Sequence, residues 1–140
     1  MFTVDVKTVM FSYFMTNALC TGVTFWIWLQ YRRHFSGTGH WLGNCIFQTL
    51  GMLLIILRGI IPDWASMVVG NASIVFGHIL LFRGLELFYS RPGSNIPNTI
   101  LLLIFTAVEF YFSAVQPDLS GRIINLSLGL ILISAQSAWL

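Results

Sequence analysis

A few polar side chains stand inside long apolar runs, and these are the places where chemistry can occur. Glu109 lies in "LLLIFTAVEFYF", Asn71 in "MVVGNASIVF", Asn17 in "FMTNALC" and Arg58 in "LLIILRGII". A carboxylate in such surroundings must be protonated, paired or hydrated, so Glu109 is the residue least easily explained by packing. Asn17, Arg58 and Asn71 can supply the donors. Together the four residues form a candidate pocket for a small ligand, an ion or a proton. A second set, Gln48, His78 and Gln136, places an imidazole among amides. His78 is a candidate proton sensor, because imidazole titrates near neutrality. The plainer reading makes every one of these groups interhelical glue, each bond worth about 0.6 kcal/mol on average.

The elements that must position these residues follow from composition. The chain has 140 residues, 56% hydrophobic and only 9% charged, whereas a soluble domain carries about 25% charged residues. Lipid is the expected solvent. A net charge of +2 with no basic block excludes a nucleic-acid partner. Apolar segments of spanning length occupy residues 9–30, 41–61, 64–82 with an extension to 88, 96–115 and 123–140. The links between them carry turn signals: "RRHFSGTGH", "PD", "SRPGSN" and "QPDLSG". The predicted fold is an all-α integral membrane bundle of about five transmembrane helices in one domain, residues 1–140. The last run, "ILISAQSAWL", stays apolar to Leu140, as in the first part of a longer bundle.

Arg32, Arg33, Arg83 and Arg91 lie in or beside the first and third links, whereas Asp63, Asp118 and Arg122 lie in the second and fourth. The positive-inside rule then places the amino terminus outside the membrane. Counting about 1.5 Å per residue from the outer ends sets Asn17, Asn71 and Glu109 about 10–12 Å deep and Arg58 about 5 Å deep. By the same count Gln48, His78 and Gln136 share a level about 20 Å down. In "RGIIPDW", residues 58–64, the second helix is expected to stop just before Pro62, with Arg58 snorkelling from its last turn. Asp63 is expected to cap the third helix or to pair with Arg58.

The third segment carries Ser66, Gly70, Ser73, Gly77 and Gly84, spaced 4, 3, 4 and 7. Small residues at that spacing let another helix approach closely, so this segment should be central or form a homodimer seam. Arg83 can pair with Glu86 at i, i+3. Cys20 and Cys45 show no metal or redox spacing and are expected to be buried packing residues. His34 and His40 read as loop residues near an interface. The sequence contains no GxSxG, Walker, HExxH or dinucleotide motif, so the chain is expected to be no enzyme and to use no metal or cofactor.

The succession "YRRH", "HWLGN", "LRGIIPDWASMVVGN" and "GLELFYSRP" resembles the amino-terminal membrane region of bacterial signalling proteins that continue into a GGDEF diguanylate cyclase domain. The resemblance covers most of the chain, with "RGIIPDW" and the following asparagine its most distinctive part. No GGDEF or GGEEF occurs, so no nucleotide or metal residue carries over. It implies a membrane-embedded sensory or anchoring domain in the bacterial inner membrane, with a cytoplasmic output domain or partner protein. The alternatives are a small transporter or channel subunit, with Glu109 and His78 lining a path, and a membrane scaffold whose small-residue stripe is its interface.

Overall fold

The computed structural model describes residues 6–34, 36–91 and 93–140, and the described residues contain helices and no strand. In chain order they are α1 (Val6–Tyr31), α2 (Thr38–Ile56), a π-helical segment (Ala65–Val69) leading into α3 (Gly70–Phe88), α4 (Ile96–Phe110) running into a second π segment (Tyr111–Val115), and α5 (Leu119–Trp139). Four of these helical stretches, 38–56, 65–88, 96–115 and 119–139, are long and apolar enough to cross a membrane. α1 has 26 residues and is not among the four. Its run is diluted by Thr16, Asn17, Thr21 and Thr24.

Helix boundaries follow local backbone chemistry. α2 starts at Thr38, three residues before the predicted span, on Gly37 with φ 99°. It ends at Ile56, five residues before the predicted end at 61. The terminator is not Pro62 but the turn around Gly59, whose φ of 94° only glycine adopts without strain. Arg58 therefore lies beyond the helix, in the link, and not in its last turn. Asp63 pairs with Arg58 at 3.5 Å, and no side-chain cap is found at the start of the π segment that follows. α5 begins at Leu119, four residues before the predicted 123. Here a cap does operate: the Asp118 carboxylate accepts from the amides of Ser120 at 3.0 Å and Gly121 at 3.1 Å. α3 runs to Phe88, the longer of its two predicted limits.

α3 is the central element. It packs most extensively on α2 and touches α4 and α5 as well, whereas α1 packs on α2 without comparable contact to the rest. The α2–α3 seam is built on close backbone approach. A Cβ on Gly51 would lie 2.7 Å from the carbonyl oxygen of Gly70, and one on Gly77 would lie 3.2 Å from that of Asn44. Near the other end, a Cβ on Gly84 would lie 2.5 Å from the Trp41 ring. Ser66 adds a bond across the seam, donating to Leu54 O at 2.6 Å. On the opposite side of α3 an apolar core of Val75, Phe82, Phe105 and Ile133 joins it to α4 and α5.

The two ends of the bundle differ in charge. Ser36 Oγ donates to Leu87 O at 3.2 Å, which brings the first and third links together with Arg32, Arg33, Arg83 and Arg91. Arg83 pairs with Glu86 at 2.6 Å and donates to Gly93 O at 2.8 Å. Asp63 and Asp118 lie at the far end with Arg58 and Arg122. Large apolar side chains face outward on every helix, among them Leu19, Trp26, Leu103 and Ile131. Both thiols are free, and Cys20 is exposed, unlike the buried packing residue expected; the outer face of α1 has no protein neighbour to cover it.

The seam makes a direct prediction. Gly51→Ala should destabilise the solubilised protein by about 1–3 kcal/mol through overpacking. Gly22→Ala on α1, where a Cβ meets nothing within 4 Å, should be neutral or stabilising by up to about 1 kcal/mol. Denaturant titration of the two variants side by side checks this.

Candidate functional site

Glu109 on α4 is 0% exposed, and it is the charged side chain buried most completely among the described residues. Asn71 Nδ2 on α3 donates to Oε1 at 2.6 Å, and Asn125 Nδ2 on α5 donates to Oε2 at 3.0 Å. Asn125 also donates to Phe105 O at 3.2 Å, one turn earlier on α4. Among the described residues no Lys, Arg or His nitrogen lies within 4.0 Å of the carboxylate. Amide donors alone meet it. Three helices are thus joined through one side chain, with both of its oxygens used as acceptors.

Local sequence explains why the three side chains converge. Asn71 follows the π segment 65–69 and Glu109 precedes the π segment 111–115. A π turn rotates the residues beyond it relative to a regular helix, and such turns recur at functional sites. On α5, Gly121, Asn125 and Gly129 repeat every four residues. Gly121 sits against Phe112 and Gly129 against Phe105, so this face lies on α4 and presents Asn125 to Glu109. The sequence reading omitted Asn125; the pattern G-x-x-x-N-x-x-x-G was the signal that could have found it.

Of the four residues proposed from the sequence, Asn71 and Glu109 are in direct contact. Arg58 is linked to them only through a cavity of about 450 Å³ whose walls include Arg58, Ser66, Asn71 and Arg122. Its side chain and that of Asp63 are 51% and 63% exposed, a screened pair of little energetic weight. Asn17 stands apart on α1, donating to Tyr13 O at 3.0 Å within its own helix. Arg122 Nε donates to Asp118 O at 3.3 Å, and its Nη1 rests on the sulfur of Met67.

The second polar level divides. Gln48 Nε2 lies 3.1 Å from His78 Nδ1 and 3.5 Å from His78 Nε2, while His78 Nδ1 is 3.0 Å from Ile74 O. The tautomer decides which neighbour Nδ1 serves: protonated it donates to Ile74 O, unprotonated it accepts from Gln48. Tyr13 OH donates to Gln48 Oε1 at 3.4 Å, so this network ties α1, α2 and α3. Gln136 is elsewhere, in a cavity of about 530 Å³ near the Arg83–Glu86 pair that also includes Asn98. The stripe residues Ser66, Gly70, Ser73, Gly77 and Gly84 are all buried; Ser73 donates to Val69 O at 2.7 Å within its own helix. His34 is exposed in the first link and His40 lies in the first turn of α2. Among the described residues no three His, Cys, Asp or Glu side chains are grouped as metal ligands.

Comparison of the chain with protein-family models, with curated proteins and with solved structures gives no match. Function must be argued from the residues.

Removing a donor from Glu109 strands a buried oxygen. Asn125→Ala should cost about 1–3 kcal/mol, well above the average for a polar bond between membrane helices. Asn17→Ala, which loses only a bond within α1, should cost under about 0.5 kcal/mol. Unfolding titrations of the two variants test the difference.

Proposed function

We propose that the chain is a membrane-embedded sensory and anchoring domain of a bacterial signal-transduction protein, with its input at the Asn71–Glu109–Asn125 junction. The carrying observation is that one buried carboxylate joins α3, α4 and α5 with no cation beside it among the described residues. Ionisable groups at such positions are expensive in lipid and are retained for function. A proton arriving at Glu109 turns one acceptor oxygen into a donor, and the amide facing it must rotate or withdraw. Ligand binding from the Asn71 side competes for the same amide. Either event changes how three helices are tied, which is what a domain that signals by helix rearrangement requires.

In this reading all five helices span. α1, at 26 residues, is about 39 Å long, enough to cross a hydrocarbon core of about 30 Å. The arginine-rich end faces the cytoplasm by the positive-inside rule, so the amino terminus is outside the inner membrane and α5 descends inward, toward a cytoplasmic output domain of the diguanylate cyclase type. The clustering of Arg32, Arg33, Arg83 and Arg91 at one end of the bundle supports that direction. A homodimer through the exposed apolar faces would suit an output enzyme that works in pairs. A channel or transporter subunit remains the second reading, favoured by the buried Glu109 alone.

Orientation is tested by labelling. With Cys20 and Cys45 replaced by serine, Asp63→Cys should react with a membrane-impermeant maleimide on intact spheroplasts, and Ser36→Cys only after permeabilisation; the reverse pattern inverts the topology. Signalling is tested in the natural host. Glu109→Gln in the chromosomal gene should change the cyclic dinucleotide level at least about threefold while the protein stays in the membrane fraction, since loss of one such contact moves an equilibrium by a kcal/mol or so. An unchanged level with normal membrane abundance would sink the sensor reading.

A further inference from the structure

We infer that the cavity beneath the 57–64 link is a binding site for an anionic amphiphile, a carboxylate or phosphate head attached to an acyl tail. It has a volume of about 450 Å³, within the range of small-molecule sites. Arg58 and Arg122 line it, and apart from them and the small polar groups of Ser66 and Asn71 its walls are apolar, including Met10, Met67 and Leu126. Among the described residues its lining carries two arginines and no carboxylate. Asp63 is 3.5 Å from Arg58 Nε, but the Asp118 carboxylate is committed to the α5 amides. Among the described residues Arg122 has no carboxylate within 4.0 Å.

Arg122 carries the inference. Its half-buried guanidinium meets a backbone carbonyl and a thioether, and a thioether is a weak acceptor that leaves most of the fork's donors open to a better partner. A planar fork of donors left in this state matches a carboxylate or phosphate, which can take two parallel bonds. The tail has a route in. Met10 on α1 and Leu126 on α5 both line the cavity, yet among the described residues α1 and α5 make no substantial contact with each other, which leaves a way in between them. A free fatty acid and an anionic phospholipid share this chemistry. The site rests on the membrane reading for the source of its ligand but not on a role for Glu109. Asn71, which lines the cavity and bonds Glu109, would couple the two.

The test is native mass spectrometry of the full chain in neutral detergent, offered palmitate against hexadecanol, and phosphatidylglycerol against phosphatidylcholine. One anionic molecule per chain should be retained about tenfold over its neutral counterpart, the scale of one charge-assisted contact. Arg122→Gln should abolish that preference and Arg122→Lys keep part of it. Leu126→Trp, which leaves both arginines and fills the cavity, should also remove the bound molecule, so a poorly folding Arg122→Gln does not leave the question open. Selective retention of palmitate assigns a free acid and of phosphatidylglycerol a lipid headgroup; either supports the site. Equal retention of anionic and neutral partners, preference surviving Arg58→Gln with Arg122→Gln, or displacement by inorganic phosphate as effectively as by palmitate would overturn it. Because the readout is binding, it stands or falls apart from the output of the Glu109 variant.

Discussion

The close approach of α2 to α3 is the constraint on which the remaining geometry rests. In an apolar solvent two helices gain nothing by hiding hydrocarbon from water, and what holds them is contact between backbones that small residues permit. Gly51 meets Gly70, Gly77 meets Asn44, and Gly84 meets Trp41 and the Gly37 carbonyl. Once that seam is closed, the rotation of α3 is set, and with it the directions of residues off the seam. Val75 and Phe82 then face α4 and α5 in the apolar core. Asn71 points at Glu109 and His78 at Gln48.

The polar contacts sort themselves by what they connect. The His78–Gln48–Tyr13 chain ties α3 to α2 and α1, and Thr21 adds bonds to Cys45 O at 3.2 Å and Thr49 Oγ1 at 3.0 Å along the α1–α2 line. Glu109 ties α3 to α4 and α5. The central helix therefore belongs to two networks on different sides, one of hydroxyls, amides and imidazole, the other ending in a carboxyl group. In the second, a proton on the carboxyl group turns an oxygen that accepts into one that donates. That network also lies beside both π segments, where the regular helical bonding is already interrupted and rearrangement disturbs fewer bonds.

The shared level of Asn71 and Glu109 along the bundle was legible in the sequence, and azimuth was not. A fixed rise per residue placed Asn71 and Glu109 on one level, and they meet. The same arithmetic placed Asn17 with them, and it is not joined to them, because rise says nothing about which face a residue occupies; Gln136 lies instead beside Phe82 and Glu86, since α5 starts earlier than the sequence suggests. Within one helix the spacing does carry that information, which is why Arg83 with Glu86 could be paired from the sequence. Asn125 was missed for the converse reason. Its meaning lies in the glycines four residues to either side, which set the face of α5 that lies on α4. The end of α2 was misplaced because Pro62 is a conspicuous stop, whereas the terminating residue is Gly59, whose positive φ releases the chain a full turn earlier.

That early release has consequences for this end of the bundle. Had α2 continued to residue 61, Arg58 would have been held on a helix face; in the link it swings to Asp63 and borders the cavity with Arg122 and Asn71. Asn71 is then the one residue that both lines the cavity and donates to Glu109. An occupant that draws its amide outward must take a donor from the carboxyl group, and a change at the carboxyl group must alter what the cavity offers. Such coupling is reciprocal, since each event shifts the other by the same free energy. It requires no long path, only one short side chain with two claims on it.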